Sequence, residues 1–162
     1  MKILKGILLN LIIAGAFTSC SSDDETLPTS GKDTEKPTIS VNYANGFPQA
    51  CAQLKRGETY TFKALAKDNM QLASFSIDLH HNFDHHTHDN QNVQCALDPI
   101  RDSSNPFIYM KNFTISGGKE YEAIVQITIP ANADTGDYHC SYSVVDETGW
   151  QGRTSVDIKI ID

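Results

Sequence analysis

Leu72–His81 reads LASFSIDLHH. Ala73, Phe75, Ile77 and Leu79 alternate there with Ser74, Ser76, Asp78 and His80. Side chains alternate across a strand with a period of two, so this stretch predicts a strand with one face in a core and a polar face opposite. The same period recurs on both sides of it. Thr59–Ala66 (TYTFKALA) puts Tyr60, Phe62, Ala64 and Ala66 on one face, and Thr154–Ile161 does the same with Val156, Ile158 and Ile160. Glu120–Pro130 (EYEAIVQITIP) is apolar and β-branched, and Tyr138–Val145 (YHCSYSVV) is a further candidate. Thr38–Tyr43 and Phe107–Ile115 are weaker ones. No segment carries a helical period of useful length. Seven strands of 5–10 residues, divided by Gly, Pro, Asn and Asp, predict an all-β chain folded as one antiparallel β-sandwich. The roughly 125 residues available suit one such core.

The first twenty residues stand outside that pattern. Met1–Cys20 (MKILKGILLNLIIAGAFTSC) opens with basic Lys2 and Lys5, followed by an apolar run over Ile7–Phe17. The run is too short to span a bilayer and ends on small residues before a cysteine, as secretory signals do. Thr18-Ser19-Cys20 resembles the lipobox of bacterial lipoproteins, with Phe17 where leucine is usual. That resemblance makes Cys20 the lipidated first residue of the mature protein. Ser21-Ser22-Asp23-Asp24-Glu25 resembles the acidic export signal of Bacteroidota surface lipoproteins, and reads otherwise as an acidic linker. The expected location is the outer membrane, exposed at the cell surface. Residues 21–36 (SSDDETLPTSGKDTEK) hold one aliphatic residue and predict a flexible acidic tether, with the sandwich over 37–162.

Loss of Lys2 and Lys5 takes the formal charge from −7 to −9. An acidic chain is ill suited to nucleic acid or to anionic membrane surfaces, and well suited to cations. Acyl chains at Cys20 supply membrane attachment without a spanning segment. Three cysteines follow Cys20: Cys51, Cys95 and Cys140. Outside the cytoplasm one bridge can form and one thiol is left over, with the pairing open. A leftover thiol reads as a small buried hydrophobe rather than a ligand.

Asp134–Cys140 (DTGDYHC) resembles the D-x-G-x-Y-x-C run that enters strand F of immunoglobulin domains. There the tyrosine makes a corner hydrogen bond two residues before a core cysteine, the positions of Tyr138 and Cys140 here. TYTFKALA lacks the usual partner cysteine, so the expectation is an immunoglobulin-like sandwich and not a true immunoglobulin domain. With that anchor, Thr59–Lys67 is strand B, Leu72–His81 is C, 120–130 is E, 136–146 is F and 151–161 is G. C and F are antiparallel neighbours in such a sandwich, so the end of C lies beside the start of F.

Five of the six histidines (His80, His81, His85, His86 and His88) fall within nine residues, and the sixth is His139. Alternation turns His80 away from the core with Asp78. It turns His139 away from the core face of Tyr138, Cys140, Tyr142 and Val144. The two then share one end and one face, at roughly 5–8 Å between Cβ atoms. His86-Thr87-His88 is H-x-H, which aims two imidazoles the same way from an extended segment. Asn82-Phe83-Asp84 supplies a turn that folds the loop back over strand C. The expected metal ligands are His80, His86, His88 and His139, with His81 and His85, of opposite parity, in reserve. Asp78, Asp84 and Asp89 are the expected acceptors for ring N–H groups. Four imidazoles suit zinc in a tetrahedral set, and copper in a flatter one; zinc is placed slightly ahead.

The whole pattern resembles the Bacteroidota lipoprotein family known as domain of unknown function 4625. Lys36-Pro37-Thr38-Ile39, Leu79-His80 with Asn82-Phe83-Asp84 and His86-Thr87-His88, and Pro130 with Gly136-Asp137-Tyr138-His139 carry the resemblance. It implies a lipoprotein signal and an immunoglobulin-like domain with a histidine-rich loop, and no reaction. The leading expectation is therefore a surface lipoprotein binding a divalent transition metal through a histidine cluster. An adhesion or complex-subunit module, using the loop to recognise a protein partner at the cell surface, is the alternative. A metalloenzyme ranks below both, because four histidines close a zinc site; an opened site would use Asp84 or Glu147 as base. No serine-histidine-acid triad, phosphate loop or dinucleotide motif is present. Trp150, in DETGWQG, is expected to pack over the sandwich end.

Overall fold

A computed structural model describes residues 32–87 and 95–162. The expected cofactor and anchor residues His88, Asp89 and Cys20, and the signal segment, lie outside the described residues. The described residues form β1 (Thr38–Ser40), β2 (Gln53–Lys55), β3 (Thr59–Lys67), β4 (Leu72–His81), β5 (Tyr109–Thr114), β6 (Glu120–Thr128), β7 (Gly136–Asp146) and β8 (Gln151–Ile161). They form a three-stranded sheet, β1-β3-β6, and a five-stranded sheet, β2-β8-β7-β4-β5. In immunoglobulin terms the first is A, B and E, and the second carries G, F, C and C′, as in variable-type sandwiches.

The alternating apolar residues meet between the sheets. Phe62, Ala64 and Ala66 of β3 and Ala123, Val125 and Ile127 of β6 belong to one buried cluster with Phe75, Ile77 and Leu79 of β4, Tyr138, Cys140, Tyr142 and Val144 of β7, and Val156, Ile158 and Ile160 of β8. Each large apolar side chain buried this way contributes roughly 1.5–3 kcal/mol. The register of β4 slips between Leu72 and Ser74 against β7. That irregularity puts Leu72 into the core in place of the expected Ala73.

The eighth strand, β2, went unread in the sequence because three residues with one buried side chain, Leu54, are too short to show a period. It also departs from the antiparallel expectation, since it pairs in parallel with β8. The candidates at Thr38–Tyr43 and Phe107–Ile115 shorten to β1 and β5.

Two cross-links secure the loops. Tyr138 Oη donates to the Asp134 carbonyl at 2.7 Å and accepts the Phe107 N–H at 3.2 Å, so the corner bond expected from DTGDYHC is present. Cys51 and Cys95 form the disulfide, spanning 44 residues and tying the long β4–β5 connection to the approach to β2. Among the described cysteines, Cys140 is free and buried. Burial pushes its thiol up to about 12, which makes it inert as a nucleophile or ligand at neutral pH.

The sandwich unit runs from Lys32 to Asp162. Asp33, which composition assigns to the tether, is buried. Gly152 allows this entry segment to lie close on β8, because a Cβ there would meet the Pro37 carbonyl oxygen at 1.9 Å. Trp150, expected to pack over the sandwich end, is instead exposed, with the Lys36 ammonium 5.6 Å from its ring centre.

Tyr138→Phe removes both corner bonds and leaves the Asp134 carbonyl and Phe107 N–H to find new partners. A loss of about 1–3 kcal/mol in urea unfolding is expected. Replacing Cys51 and Cys95 together by serine frees a 44-residue loop in the unfolded chain and should lower stability by about 2–4 kcal/mol.

Candidate metal centre

One row across the five-stranded sheet builds the site. The register sets His80 of β4 against His139 of β7, and His139 against Asp157 of β8. All three alternate with core residues and therefore point away from the core. His139 is nevertheless only 1% exposed. Facing away from the core does not mean facing water here, because the loop after β4 folds over the row.

That fold-over has a local cause. Phe83 is buried, with its ring edge-on to Tyr138 at 5.4 Å. The Arg101 guanidinium lies over the Phe83 ring, 3.9 Å from its centre. Asn82 N–H donates to the Asp137 carbonyl at 2.8 Å, and His85 N–H returns to the Asn82 carbonyl at 3.3 Å, closing the turn. His85 takes φ of 57°, the left-handed conformation that reverses the chain. The next residue, His86, arrives above the row.

Three imidazoles then converge. The His80 and His86 rings stack at 5.3 Å between centres, 15° from parallel. His139 stands edge-on to both, at 5.7 Å from His80 and 5.1 Å from His86. Each ring has its Nδ1 on a separate aspartate: His80 on Asp78 at 3.0 Å, His86 on Asp84 at 2.6 Å, and His139 on Asp157 at 2.8 Å. The hydrogen bond from His86 holds the Asp84 carboxyl down to about 2, so it stays ionised. A carboxylate that accepts Nδ1–H fixes the tautomer with the lone pair on Nε2, which is how metal-binding histidines are oriented.

The Nε2 side of the cluster is rich in acceptors. His80 Nε2 and His86 Nε2 lie 3.2 Å apart. A ring that donates from Nδ1 offers its Nε2 lone pair, so these two nitrogens form a pair of donors for one cation. Two nitrogens bound to one tetrahedral zinc at 2.0–2.1 Å lie roughly 3.3–3.4 Å apart, close to this spacing. His139 Nε2 is 3.1 Å from the His86 carbonyl oxygen while its Nδ1 faces Asp157. A neutral ring satisfies only one of two such acceptors.

Of the ligands expected from sequence, His80, His86 and His139 are brought together, and Asp78 and Asp84 lie at hydrogen-bond distance from the Nδ1 atoms of His80 and His86. The reserve histidines are used elsewhere. His81 packs on Phe83 at 4.9 Å, and burial lowers its pKa. His85 Nε2 lies 2.8 Å from the Asp98 carbonyl, latching the loop. Asp157 was missed. Its parity beside Val156 and Ile158 turns it away from the core, but only the β7–β8 register shows that it meets His139. Glu147 lies past the far end of β7, roughly 26 Å of strand from His139, so it cannot act as a base here. Asp84 is engaged by His86.

No curated protein matches the chain. Among solved structures it is similar to Spo0M, the sporulation control protein of Bacillus subtilis, with a TM-score of 0.42 and 9% identity over 80% of this chain. It is also similar to a family 123 glycoside hydrolase from Clostridium perfringens, with a TM-score of 0.37 and 14% identity over 78% of this chain. The chain spans 51% of the first of these and 27% of the second. The model of the family described as Domain of unknown function (DUF4625) matches residues 18–161, nearly the whole length, and the chain belongs to that family.

Proposed function

We propose that this domain binds a transition metal ion, zinc ahead of copper, through the Nε2 atoms of His80, His86 and His139, with His88 as the fourth ligand. The supporting observation is the convergence of three imidazoles from β4, β7 and the intervening loop, each with Nδ1 on its own aspartate. Nitrogen ligands select zinc or copper over calcium or magnesium. Asp78, Asp84 and Asp157 supply the negative charge that four neutral histidines lack. A site closed by four histidines suits capture, carriage or sensing of the ion rather than catalysis. With the lipid anchor proposed at Cys20, the domain would present this site at the cell surface on an acidic tether.

A second reading, recognition of a partner, draws on a groove of about 420 Å³ beside the cluster. Ser76, Asp78, Thr87, Ser141, Ser143 and Arg153 help line it, so Asp78 serves both the groove and His80.

The test is elemental analysis of protein purified without a histidine tag or chelator. Near-stoichiometric zinc or copper is expected, and its loss in a His86→Ala/His88→Ala variant. No uptake by the wild type after addition of zinc and copper would move the assignment to the recognition module. Asp157→Asn keeps the shape of the buried pair but weakens its hold on the ring, and should lower metal affinity roughly 10–100-fold. Protons compete for the same nitrogens, so affinity should fall below about pH 6. Unchanged binding at about pH 4.5 would contradict imidazole ligation.

A further inference from the structure

The opposite pole of the sandwich carries a second, chemically different cluster. Asp146 ends β7, Asp68 follows β3, and Asp33 lies in the segment entering β1. One oxygen of each lies within 4.8 Å of the others. Asp146 is 2% exposed and Asp33 7%, and Asp68 is partly buried. Among the described residues none of the three pairs with a lysine, arginine or histidine. Three ionised carboxylates this close, without a counter-charge, repel one another.

The hydrogen bonding of the three carboxylates is uneven. Asp146 Oδ1 accepts the Thr148 and Trp150 N–H groups at 2.8 and 2.9 Å. Among the described residues, Asp146 Oδ2 is buried with no hydrogen-bond partner, and so is Asp68 Oδ1. Buried carboxylate oxygens are rarely left so. Thr148 Oγ1 lies 2.8 Å from Asp33 Oδ2 and 2.9 Å from Asp146 Oδ1. A hydroxyl has one proton and cannot fully satisfy both.

We propose that Asp33, Asp68 and Asp146 bind a hard divalent cation, calcium, which clamps the segment entering the domain onto the ends of β3 and β7. Calcium takes six to eight oxygens at 2.3–2.6 Å, so two ligand oxygens on one ion lie at most about 5 Å apart, a limit the cluster meets. The orphaned oxygens of Asp146 and Asp68 become ligands. The Thr148 hydroxyl, its proton committed to one carboxylate, is placed beside them, and water completes the shell. This site has oxygen donors only and does not depend on the histidine cluster.

Purified protein is titrated with calcium chloride after chelator treatment, followed by terbium luminescence sensitised through Trp150 and by thermal unfolding. Binding with Kd of roughly 10⁻⁴–10⁻³ M is expected, as in extracellular modules, with Tm raised by about 5 °C at saturating calcium. Asp33→Asn and Asp68→Asn should each weaken binding at least about tenfold and abolish the shift. In chelator both variants should melt at or above the wild-type Tm, because repulsion is relieved; Asp33 lies outside every strand, so its variant tests the site without disturbing a sheet. His80→Ala/His86→Ala should bind calcium as the wild type does. Absence of terbium luminescence and of any Tm shift at about 10 mM calcium would overturn the proposal. So would binding undiminished in Asp33→Asn.

Discussion

The pairing of β4 with β7 governs both the core and the site. The register that buries Leu79 against Cys140 also sets His80 against His139. A one-residue slip would move every alternating side chain to the other face, exposing Phe75, Ile77 and Leu79 and driving the histidines into the core. The apolar face is much the costlier of the two to misplace. Core burial therefore selects the register, and the histidine pair follows from it. The next strand extends the row at no further cost, because β8 pairs with β7 so that Asp157 meets His139.

The loop after β4 depends on the same core in a different way. Phe83 is the one large apolar residue of the turn, and its burial against Tyr138 fixes where His86 lands. Tyr138 is in turn held by the corner bonds to Asp134 and Phe107. The cluster is thus supported by packing beneath it and by aspartates around it, two kinds of constraint that limit ring tilt as well as ring position.

Strands with a clear period of two were legible in the sequence, and so was their arrangement once DTGDYHC supplied an anchor. The convergence of His80 with His139 followed from parity and topology alone. What escaped was set by contacts distant in sequence. Asp157 sits in an ordinary alternating strand, and nothing local says that it faces a histidine. Leu54 is a single buried residue in a strand too short to have a period. Asp33 is surrounded by polar neighbours and reads as tether, yet Thr148 and the end of β7 hold it. The Cys51–Cys95 bridge could not be chosen from three cysteines without knowing which ends of the sandwich they approach.

The two poles of the sandwich differ in donor type. Nitrogen donors gather where strands β4 and β7 meet the folded-over loop; oxygen donors gather where the entry segment meets the ends of β3 and β7. X-ray absorption at the zinc edge of tag-free protein tests the histidine site most directly. An all-nitrogen, four-coordinate shell at roughly 2.0–2.1 Å is the result expected of four imidazoles. A shell dominated by oxygen at longer distances, or zinc that dialyses away, would contradict it.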